Sequence, residues 1–400
     1  MQYLHRRGTA DALRDYIGQE NELVINTTDS TLLVMDGVTP GGQPVTTGPL
    51  LSGPKEVSTD TEVTFTILDY DSFTQYEASL NVGVAVLTDD TITFTMPDAD
   101  TVLTVTAGGV SRRVTIKNQL GRLVGTTTEL SGGLGKRKTY AVCAYNNQIY
   151  LHGGDSDGGI TDEFWRYDIS TDTWEELTKG PSAREFHGME TIGDHIYLFG
   201  GREGATQYAD LWIYDIGADT WSEGTGYGPG RYDHATTTDG TKLYVFSGVT
   251  SGDQYDFVAY DPSAGTWEVL AFQPAARHDH GLTATETHVY LFGGFGNGRL
   301  ADLWIYDIAN DTWTSGPTAP PGRSNPAFAT FGDYLYLFGG WDAALLDDIW
   351  EYDIGSGTWK EVGTIPSGRF RFHGVSLPSG IYYYGGDTKY YTLSDFWRLT

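Results

Sequence analysis

Cysteine is nearly absent from this chain: among 400 residues only Cys143 carries a thiol. No disulfide can form within one copy, which suits folding in a reducing cytoplasm. Basic residues are also scarce, with 25 Lys and Arg against 53 Asp and Glu, a formal net charge of −28. The deficit runs through the whole chain: residues 1–120 hold 7 basic and 16 acidic side chains, and the rest hold 18 and 37. Such a field repels nucleic acid and anionic lipid, so neither is an expected partner. Its plain consequence is solubility. No run approaches eighteen apolar residues, so no helical membrane span is expected. Met1–Gly8, M-Q-Y-L-H-R-R-G, lacks the apolar core that follows the arginines of a secretory signal. Beyond residue 120 there is no helical periodicity of useful length.

What is abundant is glycine, at 52 residues, and aromatic side chains, at 14%. They recur in step. A double-glycine position falls at Gly153–Gly154, Gly200–Gly201, Ser247–Gly248, Gly293–Gly294, Gly339–Gly340 and Gly385–Gly386, spaced 47, 47, 46, 46 and 46 residues. A Tyr-Asp pair follows at Tyr167, Tyr214, Tyr260, Tyr306 and Tyr352, and a tryptophan at Trp174, Trp221, Trp267, Trp313 and Trp359. Each repeat holds four short β-prone stretches separated by Gly, Pro and Asp, as in His187–Ile192, His195–Gly200, Leu211–Asp215 and Thr220–Ser222. Four strands at a fixed period of ~40–50 residues predict propeller blades. The double glycine is expected where backbone packs near a central channel and φ is positive. The tyrosine and tryptophan rings are expected to fill the wedges between blades.

At these residues the chain resembles the kelch family. The resemblance covers about residues 122–400 and implies a six-bladed β-propeller, with Ser247 and Arg398-Leu399 departing from the pattern. Kelch propellers serve as enzymes, adaptors and lectin-like binders alike, so the resemblance leaves function open. The last repeat stops at its third strand, Phe396–Thr400. Each outer-strand tryptophan stands ten residues before an arginine, and ten residues before Arg137 is Thr127. The β-prone run Leu123–Leu130 is therefore expected to supply the missing outer strand and close the ring.

Three segments precede one another in order: residues 1–48, 49–118 and the propeller at 119–400. In the first, Thr9 is a plausible N-cap for a short helix over Ala10–Ile17. Glu22–Asn26 and Thr31–Met35 then read as a hairpin. R-R-G-T at Arg6–Thr9, E-L-V-I-N-T-T-D-S at Glu22–Ser30 and D-G-V-T-P-G-G at Asp36–Gly42 resemble the short attachment module at the start of bacteriophage tail-fibre proteins. That resemblance implies trimerisation and contact with other virion tail proteins through residues 1–48. Gln19–Glu22 and Met35 depart from the module's pattern. Residues 51–117 alternate with period two, as in Val63–Ile67, Thr91–Met96 and Val102–Thr106, and predict a small β-sandwich. T-F-T-I-L-D-Y-D-S-F at Thr64–Phe73 and Tyr76 resemble the immunoglobulin-like modules of phage tail and fibre proteins, implying a spacer.

No G-x-S-x-G, H-E-x-x-H or P-loop pattern occurs. Cys143 reads as a buried inert thiol. Neither an enzyme activity, a cofactor nor a metal is expected. Arg137, Arg184, Arg231, Arg277, Arg323 and Arg369 recur at the repeat period and are expected on one face near the axis, with His187, His234 and His280 three residues on. Six guanidinium groups at one mouth would clamp an anionic sugar; alternatively each pairs with an acidic residue of a neighbouring blade. The loops after each double glycine differ. Arg202 and Tyr208, Tyr255, Phe295 with Asn297 and Arg299, Trp341-Asp342, and Tyr390 combine rings with hydrogen-bonding groups, a mixture suited to sugars. The expectation is a phage tail-fibre or tail-tip protein, made in the host cytoplasm and carried on the virion tail. Its propeller would bind a host surface glycan such as lipopolysaccharide. The alternatives are a structural tail protein whose propeller docks on virion proteins and, more remotely, a depolymerase.

Overall fold

The computed structural model describes residues 123–400 except 124, 131, 132, 253 and 319, and, within residues 1–120, the strands and the side chain of Ile92. The chain forms two compact units, Met1–Leu120 and Gly121–Thr400. Among the described residues every regular element is a β-strand. The helix expected over residues 10–17 lies outside them.

In the first unit Glu22–Asn26 pairs antiparallel with Thr31–Met35, with Asn26 opposite Thr31 next to the turn. Arg6–Gly8 runs parallel to the outer edge of this hairpin. Two further four-stranded sheets follow. One has the order Leu51–Ser52, Glu62–Ile67, Thr91–Thr95, Val86–Thr88; the other, Glu56–Val57, Val110–Asn118, Thr101–Ala107, Tyr76–Leu80. Thr alternates with Val, Ile or Phe along Glu62–Ile67 and Thr91–Thr95, the pattern of a sheet with one apolar face.

The second unit contains six four-stranded antiparallel sheets. The second sheet is representative: Gly188–Ile192, His195–Phe199, Leu211–Asp215 and Thr220–Glu223 lie side by side in chain order. Burial follows position. The second strand is closed on both faces, hence its run Ile196-Tyr197-Leu198-Phe199, whereas the fourth, Thr-Trp-Ser-Glu, is mostly exposed. The sheets' first strands, from Ala141–Tyr145 through Gly374–Leu377, touch one another in succession, and the sixth touches the first. In the sixth sheet the outer position is taken by Thr127–Glu129, paired with Phe396–Leu399 in the register Thr127↔Leu399. That strand is shorter than the run 123–130 expected from the sequence. Leu123 instead enters the core beside Phe331 and Ile365, and its N–H donates to the Tyr336 hydroxyl (2.7 Å).

Neighbouring sheets are joined by the double glycines. The N–H of Gly154 donates to the carbonyl of Arg184 in the next sheet (2.9 Å), and the same bond recurs around the cycle to Gly386 and Arg137 (2.9 Å). The first glycine stands at φ near +65°, and a Cβ on Gly339 would lie 2.8 Å from the Arg369 carbonyl oxygen. The tight approach is therefore to the adjacent sheet rather than to the channel. Ser247 holds the same backbone at φ 54°, with its hydroxyl donating to the Gln254 carbonyl and accepting from the Arg277 N–H. The rings fill the wedges: Tyr214 packs edge-on against Phe164 of the preceding sheet (4.8 Å) and against Trp221 (5.0 Å). The indole N–H of Trp221 donates to the Thr178 carbonyl of that preceding sheet.

Candidate binding site at the channel mouth

The six periodic arginines are interior groups, each at most 1% exposed. Arg184 makes a two-toothed ion pair with Asp210 (2.7 and 2.9 Å) and donates to the Gly200 carbonyl (2.8 Å). Asp210 also accepts from the Trp212 indole (2.7 Å). Arg231 with Asp256, Arg277 with Asp302, Arg323 with Asp348 and Arg369 with Asp395 repeat this geometry, and Arg137 pairs with Glu163. Each pair ties the entry of the first strand to the start of the third strand of the same sheet. This corrects both sequence expectations: the guanidinium groups line no mouth, and their partners belong to their own sheet. Burial alone would push the Asp210 and Asp302 carboxyls up, but the arginine bonds hold them below the usual range. His187, His234 and His280 are likewise buried. Desolvation holds their imidazoles neutral, His234 at about 3. Cys143 is buried and its thiol is pushed up by desolvation, leaving it protonated and unreactive.

Two residues follow each arginine at the channel mouth: Lys138-Thr139, Glu185-Phe186, Tyr232-Asp233, His278-Asp279, Ser324-Asn325 and Phe370-Arg371. The second of each pair stands in the left-handed region, at φ 51–58°. Their backbones form a chain of hydrogen bonds around the axis: Phe186 N–H to Thr139 O (2.9 Å), Asp233 to Phe186 (3.2 Å), Asp279 to Asp233 (3.2 Å), Asn325 to Asp279 (2.7 Å) and Thr139 to Arg371 (3.1 Å). Asp and Asn accept this conformation readily, whereas Thr, Phe and Arg are strained there at a cost of about 1–3 kcal/mol each. This chain of five bonds links all six residues. Below it a channel descends past first-strand residues of every sheet, including Glu190, Thr236, Leu282 and Phe328.

Several loop residues chosen from the sequence come to this mouth because their loops pair with the axial segments. Arg202 bridges to Glu185, Phe295 to His278 and Trp341 to Ser324. The Arg202 guanidinium lies over Phe186 (4.9 Å) and Tyr232 (4.2 Å) and pairs with Glu185 (3.2 Å). Trp341 packs on Phe370 (5.6 Å), and Phe295 on His278 (5.6 Å). Arg371 lies over Phe370 (5.1 Å) and pairs with Asp387, which also pairs with Lys138. The mouth is thus a rim of incompletely buried rings, Phe186, Tyr232, Phe295, Trp341 and Phe370, interleaved with charged groups. Asp342 and Arg299 are exposed and stand 4.0 Å apart, and Asn297 is exposed. Tyr208 is not at the mouth; it lies over the Arg184 guanidinium (4.1 Å). Tyr255, 76% exposed, leans on Phe272, and Tyr390, 82% exposed, lies under Lys389.

Sequence reasoning missed the axial dipeptides, Tyr232, Asp233, His278, Asp279, Phe370 and Arg371 above all. The available signal was contrast: an arginine that never changes is followed by a position that differs in every repeat and by one where only Asp233 and Asp279 agree. Two carboxyls here are pushed up to about 8, Asp233 by burial and then by the charge of Asp279, and Glu190, inside the channel, by burial. Asp233, His278 and Asp279 also bring three ligating atoms within 4.8 Å of one another.

Comparison with known proteins follows the same lines. The KLHDC2/KLHL20/DRC7 Kelch-repeats domain matches residues 126–229 and 225–386. No curated protein matches the chain. Among solved structures, that of YjhT superposes with a TM-score of 0.60 at 16% identity, over 67% of this chain and 95% of that one, a likeness of fold. With matched segments covering well over half its length, and with sheets locked through the double glycines, the chain belongs to the kelch-repeat family and carries a β-propeller of that type.

Proposed function

We propose that this chain is a bacteriophage tail-fibre or tail-tip protein whose six-bladed propeller binds a host surface glycan, such as lipopolysaccharide, without cleaving it. The observation that carries the reading is the rim of five partly exposed rings set among Lys138, Glu185, Arg202 and Arg371. Flat rings stack on the apolar faces of pyranoses while charged and amide groups pair with hydroxyls and acidic substituents. The six four-stranded sheets and their cyclic contacts support the blade count. The two sheets over residues 51–118 follow the strand distribution of an immunoglobulin-type sandwich, supporting the spacer. The phrases at Arg6–Thr9, Glu22–Ser30 and Asp36–Gly42 support attachment to the virion and trimerisation through residues 1–48. Three linked propellers would convert weak single-site binding into useful avidity.

A second reading, polysaccharide cleavage, is favoured by one observation: Glu190, held protonated near neutral pH, shares the channel with acidic neighbours, as a general acid would. One experiment separates the readings. The full chain is titrated onto immobilised host lipopolysaccharide, and the released sugar is assayed for reducing ends. Saturable binding that falls at least about tenfold in Trp341→Ala and Phe370→Ala, with no reducing ends, supports the proposal. Reducing ends abolished by Glu190→Gln support cleavage. Absence of binding by the intact chain supports a structural role within the tail.

A further inference from the structure

We propose that Asp233, His278 and Asp279 form a binding site for one divalent transition-metal ion, of the zinc or manganese class, at the mouth of the channel. The three residues come from two adjacent sheets and offer one imidazole nitrogen and two carboxylate oxygens, all within 4.8 Å of one another. One nitrogen and two oxygens suit zinc or manganese better than calcium, which takes oxygen ligands alone.

The independent sign that something is missing is Asp233 itself. Its Oδ1 is sealed from solvent and accepts no hydrogen bond. An enclosed carboxylate oxygen without a donor is costly, and a carboxylate oxygen of Asp279 stands within 4.8 Å of one of Asp233, where like charges repel. Two cations stand near, but both have carboxylate partners: Arg202 pairs with Glu185 (3.2 Å) and Arg371 with Asp387 (3.5 Å). His278 Nδ1 lies 2.9 Å from Asp279 Oδ2, so the ring is already drawn to the carboxylates. A divalent cation would supply the missing partner for Asp233 and cancel the repulsion in one step.

The ligands are also preorganised. Asp233 and Asp279 are consecutive members of the axial ring, joined by the Asp279 N–H to the Asp233 carbonyl (3.2 Å). His278 is held by reciprocal backbone bonds to Phe295 (3.0 and 2.8 Å), with the two rings in contact. Ligands fixed in this way lose little freedom on binding. Three protein ligands leave further coordination positions for water or for a ligand's oxygen.

The test is equilibrium dialysis of the chelator-stripped full chain against zinc chloride, with manganese and calcium chloride in parallel, alongside thermal unfolding with and without metal. The expected result is one zinc per chain, bound more tightly than manganese and far more tightly than calcium. Asp233→Asn and Asp279→Asn should each weaken zinc binding by about 100-fold. His195→Ala, which removes a partly exposed imidazole beside Asp194, should leave it unchanged. In chelator Asp233→Asn should remain folded, yet its melting point should gain nothing from zinc. Binding of less than about one zinc per five chains would overturn the site. So would parent-like zinc affinity in both Asn variants, or calcium binding tighter than zinc, which would leave His278 no role.

Discussion

Arg323 shows what one residue does here. Its guanidinium is fully enclosed, donates twice to Asp348 and once to the Gly339 carbonyl, and has five counterparts around the ring. Arg323→Met should therefore cost about 3–5 kcal/mol in denaturant unfolding, chiefly by stranding the Asp348 carboxylate. Replacing both members by apolar residues should cost less. The glycine next to it is governed by backbone geometry. Gly339→Ala, at φ 63° and with a carbonyl 2.8 Å from the added Cβ, should lower the unfolding midpoint clearly, while Ser247→Gly should lose only the two hydroxyl bonds. The arginines and glycines announced themselves by their period. Their partners did not, because the spacing of 25 or 26 residues to Asp210, Asp256 or Asp302 is hard to single out in a chain with 53 acidic residues.

Titration at the same scale makes stability peak near neutrality. Buried His152, His187, His234 and His280 have folded-state pKa values pressed below the ordinary 6.5 by desolvation. Their contribution is complete above about pH 6.5 and is lost as pH falls below it, since the unfolded chain then binds protons the fold refuses. Asp233 and Glu190 act in the opposite direction. Their folded values near 8 exceed the ordinary 3.8 and 4.5, so their contribution is complete at acid pH and is lost as pH rises through about 8. Urea midpoints for the propeller unit should accordingly be highest around pH 6.5. The decline toward pH 8.5 should shrink in Glu190→Gln, and an unchanged decline would count against these assignments.

At the scale of elements, the strand Thr127–Glu129 is what completes the sixth sheet. Without it, Phe396–Leu399 would present a free edge and the core around Ile365 would lose Leu123. A chain of residues 121–400 should unfold in one cooperative transition. A chain of residues 131–400 should melt at least about 5 °C lower or aggregate, as followed by circular dichroism and light scattering. This strand was legible because the ten-residue step from tryptophan to arginine can be counted back from Arg137. The four-strand unit was legible through apolar patterning. The mouth was not, because its residues follow no pattern of their own. Phe186, Asp233 and Arg371 meet only because the arginine before each is anchored in its own sheet and the backbone then turns through a left-handed residue. Loop residues looked equivalent in sequence, yet pairing carries Arg202, Phe295 and Trp341 to the axis and leaves Tyr255 and Tyr390 outside.

For the molecule as a whole, a repeated frame surrounds one mouth whose backbone repeats while most of its side chains do not. The frame residues themselves recur from repeat to repeat. A net charge of −28 opposes the approach of a polyanion, so an acidic glycan would have to be recognised locally, by Arg202, Arg371 and Lys138. The most direct measurement is a bacterial glycan array probed with the full chain and with two pairs of variants. Binding to a defined set of saccharides, lost in Tyr232→Ala and Phe370→Ala but kept in Tyr255→Ala and Tyr390→Ala, is the predicted result. Binding lost only in the second pair, or no saccharide bound by the intact chain, would contradict a glycan site at the channel mouth.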